Sequence, residues 1–277
     1  MKQQYASQFV TAAGIRTHYI EAGAGDPLLL IHGGGAGADG RSNWAECMAA
    51  YAPHMRAFAV DMFGFGDTDM PDPSAAQYTQ QTRTRHMIAF IEALGVGPVD
   101  LIGNSMGGTT AMGVVLERPD LVRNLVLMGS AVNMAPADMA ANHAVMAPVL
   151  AYDFTREGMR ALIKCLTYSY EPTAEVVDYR YIRSIRPEAK TANMAAMAWV
   201  RQNGLCYTDE QISSIKTRTM VCAGKNDKIV PLRKMYELLD RMPHAWGTIF
   251  PNCGHWIMIE YPREFTDITL RFFGKGG

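Results

Sequence analysis

The chain has 277 residues, 48% of them hydrophobic and 19% charged, with a formal net charge of −1. That balance suits a globular protein with a substantial core, and it leaves no cationic run for nucleic acid or an anionic membrane to recognise. No stretch reaches the roughly eighteen apolar residues that a membrane span needs, and residues 1–23 lack an apolar core of signal-peptide length. Five scattered cysteines (Cys47, Cys165, Cys206, Cys222 and Cys253) show no paired, metal-type spacing. They fit a reduced, cytoplasmic protein without a metal centre. The 19 methionines suit adaptable core and pocket filling.

In chain order, QFVTA (8–12) and IRTHYIEAG (15–23) alternate in polarity and predict an antiparallel pair at a sheet edge. Short apolar runs follow at 27–32 (PLLLIH), 57–61 (AFAVD), 99–103 (VDLIG), 124–129 (NLVLMG), 219–224 (TMVCAG) and 246–250 (WGTIF). Each is about five residues long and bounded by Gly, Pro, Asp or Asn, as buried strands are. Between them, TRTRHMIAFIEALG repeats apolar residues at helical spacing and stops at Gly95, and SMGGTTAMGVVLERP is helical until Pro119. Strand–helix alternation predicts an α/β fold, a mainly parallel central sheet flanked by helices. The rhythm breaks between 134 and 206, a stretch rich in Ala, Met and Tyr with no convincing strand. It is too long for a plain loop and predicts three or four helices. The expected organisation is a core of residues 1–133 and 207–277 with an inserted all-helical cap, or lid, at 134–206.

The chemistry-bearing residues sit where strands end. Gly103-x-Ser105-x-Gly107 lies between a strand and a helix, the pattern of a sharp turn that projects a nucleophilic hydroxyl. A serine capping an ordinary strand-to-helix turn is the plain alternative. A serine nucleophile needs a base and an orienting carboxylate. Asp227 in AGKNDKIVP and His255 in NCGHWIMIE follow later strands in the order Ser, Asp, His. Singly, Asp227 reads equally as a helix-capping carboxylate and His255 as a Gly-His turn; jointly, three loops in that order point to a catalytic triad. IHGGGAGADG follows the first buried strand and offers backbone N–H groups to a developing oxyanion. The expected donors are the amides of Gly34 and Met106, with Gly35 lining the same pocket. The glycine loop lacks the endings that bind nucleotide phosphates. His32 and Asp61 read as architectural.

Taken together, the HGGG element, the elbow, the Asp loop and the Gly-His turn resemble the α/β-hydrolase superfamily over the whole chain apart from the cap. More narrowly, HGGGAGADGRSNW, GNSMGG, GKNDKIVP and CGHWIMIE resemble the meta-cleavage product hydrolases, which hydrolyse a C–C bond in dienoates produced by aromatic ring opening. Asn104 before the nucleophile, Asn43 eleven residues after His32, and Trp256 after His255 occur together. The cap segments YDFTREGM and RYIRSIRPEA look closest to the branch acting on the carbazole-derived aminophenyl dienoate. The resemblance implies Ser105 as nucleophile, His255 as base and Asp227 as its orienter, with no cofactor. It further implies that Arg180 binds the substrate carboxylate or enolate oxygen, that Asn43 and Asn104 hydrogen-bond the same polar end, and that Trp256 packs along the dienoate. A cap-surface role for Arg180, core packing for Trp256 and helix capping for Asn43 remain open on the residues alone. The small-molecule dienoate is the implied partner, and the resemblance leaves room for a homodimer or higher homo-oligomer. A carboxylesterase or lactonase uses the same triad, and a non-catalytic ligand receptor can keep the same fold. The C6 substituent of the substrate is not legible.

Overall fold

The computed structural model describes residues 5–130, 132–141 and 143–275. Among the described residues ten strands run in chain order as β1 (Ser7–Ala12), β2 (Ile15–Ala22), β3 (Pro27–Ile31), β4 (Arg56–Val60), β5 (Val99–Asn104), β6 (Val122–Met128), β7 (Asn133–Met134), β8 (Leu205–Cys206), β9 (Arg218–Gly224) and β10 (Trp246–Phe250). Eight of them form one sheet in the order β1-β2-β4-β3-β5-β6-β9-β10. β1 and β2 pair antiparallel through a turn in which Ala13 and Gly14 both have positive φ, and β2 runs antiparallel to β4. From β4 to β10 every pairing is parallel. Strands covered on both faces must be apolar throughout, and Leu28–Ile31, Ala57–Val60 and Leu125–Met128 are each buried to within 1% exposure.

The helices of the sheet are α1 (Gly40–Tyr51), α2 (Gln80–Leu94) and α3 (Met106–Glu117). Asp39 caps α1 by accepting from Ser42 N, and Thr79 caps α2 by accepting from Thr82 N. α2 stops at Gly95 in the left-handed region, as the sequence predicts. Between β7 and β8 lie α4 (Pro136–Ala141), α5 (His143–Leu150), α6 (Arg156–Leu166), α7 (Ala174–Ser184) and α8 (Pro187–Asn203). The described residues of this segment are helical, as the sequence predicts; α4 and α5 flank residue 142, which lies outside the described residues. β7 and β8 pair as a two-residue ribbon at the base of this segment, too short to leave an alternation in the sequence. The chain closes with α9 (Asp209–Ser214), α10 (Leu232–Arg241), α11 (Ile257–Glu260) and α12 (Pro262–Phe272). No helix among the described residues is long and apolar enough to cross a membrane.

α7 is bolted to the sheet side of the molecule by charge. Arg183 ion-pairs with Asp39 at 2.6 Å and Asp67 at 2.7 Å, Arg186 with Asp67 at 2.8 Å, and the Tyr179 hydroxyl donates to Asp39 at 2.8 Å. Asp39 is 1% exposed; burial works against its ionisation, but Arg183 and the Ser42 and Tyr179 donors hold its carboxyl below the usual range.

Candidate active site

β5 ends at Asn104 and α3 begins at Met106, so Ser105 makes the whole turn, with φ 53° and ψ −119°. A non-glycine residue there stores strain of about 1–3 kcal/mol, which the surroundings must impose. The Ser105 amide donates to Met128 O at 3.0 Å, and its carbonyl accepts from Gly108 at 2.9 Å and Thr109 at 3.1 Å. A Cβ on Gly103 would lie 2.5 Å from Gly107 O, and one on Gly107 would collide with the carbonyls of His32 and Ile31. The glycines flanking the serine are therefore required by the closeness of backbone to backbone.

β9 leads to Asp227 and β10 to His255. His255 Nδ1 lies 2.8 Å from Asp227 Oδ2, with both side chains buried. The other carboxylate oxygen, Oδ1, accepts from the amides of Ile229 at 2.8 Å and Val230 at 2.9 Å. The carboxylate is thereby fixed in plane and keeps one oxygen for the imidazole, which sets the tautomer with Nε2 free to accept a proton.

The loop after β3 is shaped by His32. Its Nδ1–H donates to Gly33 O at 2.7 Å while Nε2 accepts from Met62 N at 3.1 Å. Burial pushes its pKa below the ordinary value, so the ring is a neutral strut. Asp61 accepts from the amides of Gly40 at 2.7 Å and Asp67 at 2.8 Å, and faces His18 Nδ1 at 2.7 Å. His18, Asp61 and Asp67 bring ligand-type atoms within 4.8 Å of one another. Both Asp61 oxygens are already engaged and Asp67 holds two arginines, so this trio is saturated and suits no cation. Met106 opens α3, where an amide has no partner inside the helix, and the Gly34 amide meets no backbone acceptor among the described residues.

One cavity collects Gly34, Gly35, Asn104, Ser105, Met106, His255 and Trp256 on its wall. Asp227 stands behind His255. Asn104 is fully buried; its Nδ2 donates to Met128 O at 3.1 Å and its Oδ1 has no partner. The far wall is apolar, with Met134, Met139, Met146 and Met197 prominent. Asn43 and Arg180 are not on this wall. Arg180 lines a neighbouring cavity, and Trp256 is the partition between the two. Its guanidinium is 2% exposed and stacks 4.8 Å over the Trp256 ring. Its bonds are long: 3.3 Å to Ser42 Oγ, 3.4 Å to Asn43 Oδ1 and 3.4 Å to Ala36 O, with Nε unpartnered. Arg180 makes no ion pair among the described residues, and burial pushes its pKa down to about 10 despite the opposing pull of Asp39. Asn43 is buried inside α1; the cap of that helix is Asp39. Ser42 and the Ala36 carbonyl went unpredicted. No motif marks them, because they meet Arg180 only when α7 crosses the glycine loop, where Gly37 touches the Arg180 carbonyl.

A mainly parallel sheet with a sharp serine turn after β5, a carboxylate after β9 and a histidine after β10 defines an alpha/beta hydrolase, and the model of the alpha/beta hydrolase fold family matches residues 26–262. The 2-hydroxy-6-oxo-6-(2'-aminophenyl)hexa-2,4-dienoic acid hydrolase of Metapseudomonas resinovorans is 43% identical over 98% of this chain and 92% of its own length. The 2-hydroxymuconate semialdehyde hydrolase of Pseudomonas sp. strain CF600 is 33% identical, with 96% and 93% covered. Among solved structures, a His-tagged serine hydrolase involved in carbazole degradation superposes with a TM-score of 0.88 at 43% identity, covering 98% of this chain and 99% of that one. A meta-cleavage product hydrolase from Pseudomonas fluorescens IP01, in a variant complexed with acetates, gives 0.87 at 29% identity over 96% and 97%. The chain belongs to the alpha/beta hydrolase family and, within it, to the meta-cleavage product hydrolases.

Proposed function

We propose that the protein hydrolyses the bond between C5 and C6 of 2-hydroxy-6-oxohexa-2,4-dienoates, with Ser105 as nucleophile, His255 as base and Asp227 as its orienter. The observation that carries this beyond ester hydrolysis is Arg180, a buried guanidinium without an ion pair, one indole ring from the triad cavity. A buried cation held only by long bonds to neutral groups gains most from a carboxylate. The substrate carboxylate turns toward Arg180, Ser42 and Asn43, the dienoate runs along Trp256, and the unpartnered Asn104 Oδ1 accepts from the 2-hydroxyl.

Chemistry follows from that pose. The dienol first takes a proton at C5 and loses one from its 2-hydroxyl, giving the keto form. Ser105 Oγ then attacks C6 as His255 Nε2 takes its proton. The Gly34 and Met106 amides receive the oxyanion. Its collapse breaks the bond from C5 to C6, and the electron pair passes along the vinylogous chain to the C2 oxygen, leaving 2-hydroxypenta-2,4-dienoate after protonation. Water, deprotonated by His255, releases the carboxylic acid from Ser105. The electron sink lies in the substrate, so the reading needs no cofactor.

The acid-side wall narrows the substrate class. Its described side chains beyond the triad region are Met, Val, Leu and Ile, with no donor or acceptor for a charged C6 substituent. Alkyl and aryl groups fit; a carboxylate-bearing chain would be desolvated without a partner. A reduced, cytoplasmic enzyme that assembles as a homodimer or larger completes the proposal. The test is absorbance of a yellow 6-phenyl dienoate with stoichiometric benzoate release, abolished in Ser105→Ala. Turnover of simple esters alone, with no benzoate from the dienoate or its alkyl and aminophenyl analogues, would replace this reading with an esterase.

A further inference from the structure

We infer that Glu260, at the end of α11, is a positioning residue that holds His255 in register with the C-terminal end of α6. This rests on the reading of His255 as the base. The Glu260 carboxylate spans two segments distant in sequence. Oε2 accepts from the amide of Gly254 at 2.6 Å, and Oε1 accepts from the amides of Tyr168 at 2.9 Å and Ser169 at 2.7 Å and from the Ser169 hydroxyl at 3.3 Å. Charge-assisted bonds to three backbone amides make a stiff bracket. On the far side of the same bracket, the amides of His255 and Trp256 both donate to Leu166 O, at 2.9 and 3.1 Å. No side chain fits between the two strands of chain: a Cβ on Gly254 would lie 2.7 Å from the Thr167 carbonyl carbon.

The physical consequence is that the amides of the turn carrying the imidazole are held from outside it, while the Trp256 carbonyl accepts from the Ile259 and Glu260 amides at 3.0 and 3.1 Å. Asp227 fixes one ring nitrogen, and the amides of Gly254, His255 and Trp256 donate to Glu260 and Leu166. Leu166 also lines the triad cavity. The cavity wall and the base are therefore mounted on one bracket, and the direction of Nε2 depends on the end of α6 being docked. Loss of the bracket should slow chemistry far more than it weakens substrate binding, because Arg180, which takes the substrate carboxylate, draws its contacts from Ser42, Asn43 and Ala36 and none from Glu260.

The test compares Glu260→Gln and Glu260→Ala with the parent protein. Gln keeps size but turns an NH2 donor against an amide donor, so it carries the test if the Ala variant fails to fold. Three readouts are taken: kcat and KM for the 6-phenyl dienoate, the rate at which phenylmethanesulfonyl fluoride modifies Ser105, and dienoate Kd in a Ser105→Ala background. The expected result is a fall of about tenfold or more in both kcat and the sulfonylation rate, with KM and Kd changed by less than about twofold, as small misplacements of a reacting group produce. Unchanged kcat and sulfonylation, or a Kd that rises in step with the loss of rate, would overturn the assignment. If the parent turns over no dienoate, the proposed function fails while the sulfonylation rates still decide the role of Glu260.

Discussion

Replacing Arg180 by Met should move activity and stability in opposite directions. The guanidinium is 2% exposed, and its pKa is pushed down to about 10 because burial disfavours the charged form. Relative to the ordinary guanidinium value, that depression corresponds to roughly 3 kcal/mol by which the fold disfavours this cation at neutral pH. Three bonds of 3.3–3.4 Å to neutral groups and the stacking on Trp256 offset only part of it. Methionine fills similar volume without a charge, so a net gain of about 1–2 kcal/mol is expected, or about 2–5 °C in Tm for a chain of this size. Transition-state stabilisation on the dienoate should fall by about 3–4 kcal/mol, the cost of leaving a buried carboxylate unpaired, which is a factor of about 10² to 10³ in kcat/KM. Ester turnover should change little. Differential scanning calorimetry beside dienoate and ester kinetics makes the comparison. A lowered Tm would mean that Arg180 is a structural tie, and equal losses on dienoate and ester would mean that it does not hold the carboxylate.

Three further outcomes follow from the geometry. In Asp227→Asn, an amide oxygen retained by the Ile229 and Val230 amides turns the NH2 group toward His255 Nδ1, which puts the proton on Nε2, the nitrogen proposed as the base. kcat should fall by about 10⁴ with the fold intact by circular dichroism, and a loss under tenfold would refute the tautomer argument. In Gly107→Ala the new methyl meets the carbonyls of His32 and Ile31, so destabilisation above about 4 kcal/mol or failure to fold is expected, and a stable, active variant in urea titration would refute the packing. His86 is buried, accepts from Phe63 N at Nδ1 and faces Thr17 Oγ1 at Nε2, and burial pushes its pKa down to about 4. The unfolded chain takes up this proton near pH 6.5 and the folded one does not, so the contribution is intact above pH 6.5 and shrinks as pH falls toward 4. About 2 kcal/mol should be lost by pH 5, and urea midpoints of a His86→Gln variant should lack that part of the pH dependence.

The strands were legible because a parallel sheet covered on both faces demands unbroken apolar runs, as in PLLLI and NLVLM. The order of Ser105, Asp227 and His255 was legible because each follows a strand. The polar end was less so: Arg180, Asn43 and Trp256 could be named, but that Trp256 partitions two cavities and Arg180 faces the second depends on where α7 lies. That placement is set by Arg183 and Arg186 meeting Asp39 and Asp67, contacts across more than a hundred residues that no local pattern encodes. Glu260 sits in the readable motif WIMIE, yet its partners Tyr168 and Ser169 lie in another segment.

The methionine-lined wall separates what the protein does from what it does it to. Met139, Met146, Val149 and Leu150 all come from residues 136–150, a single short stretch, whereas Ser105, Asp227 and His255 hang from the sheet. Under the proposed function, selection acting on that stretch, or its exchange between genes, would retune which carboxylic acid is released without touching Ser105, Asp227 or His255. A lineage meeting a new aromatic compound would then need to rewrite a sentence rather than a book.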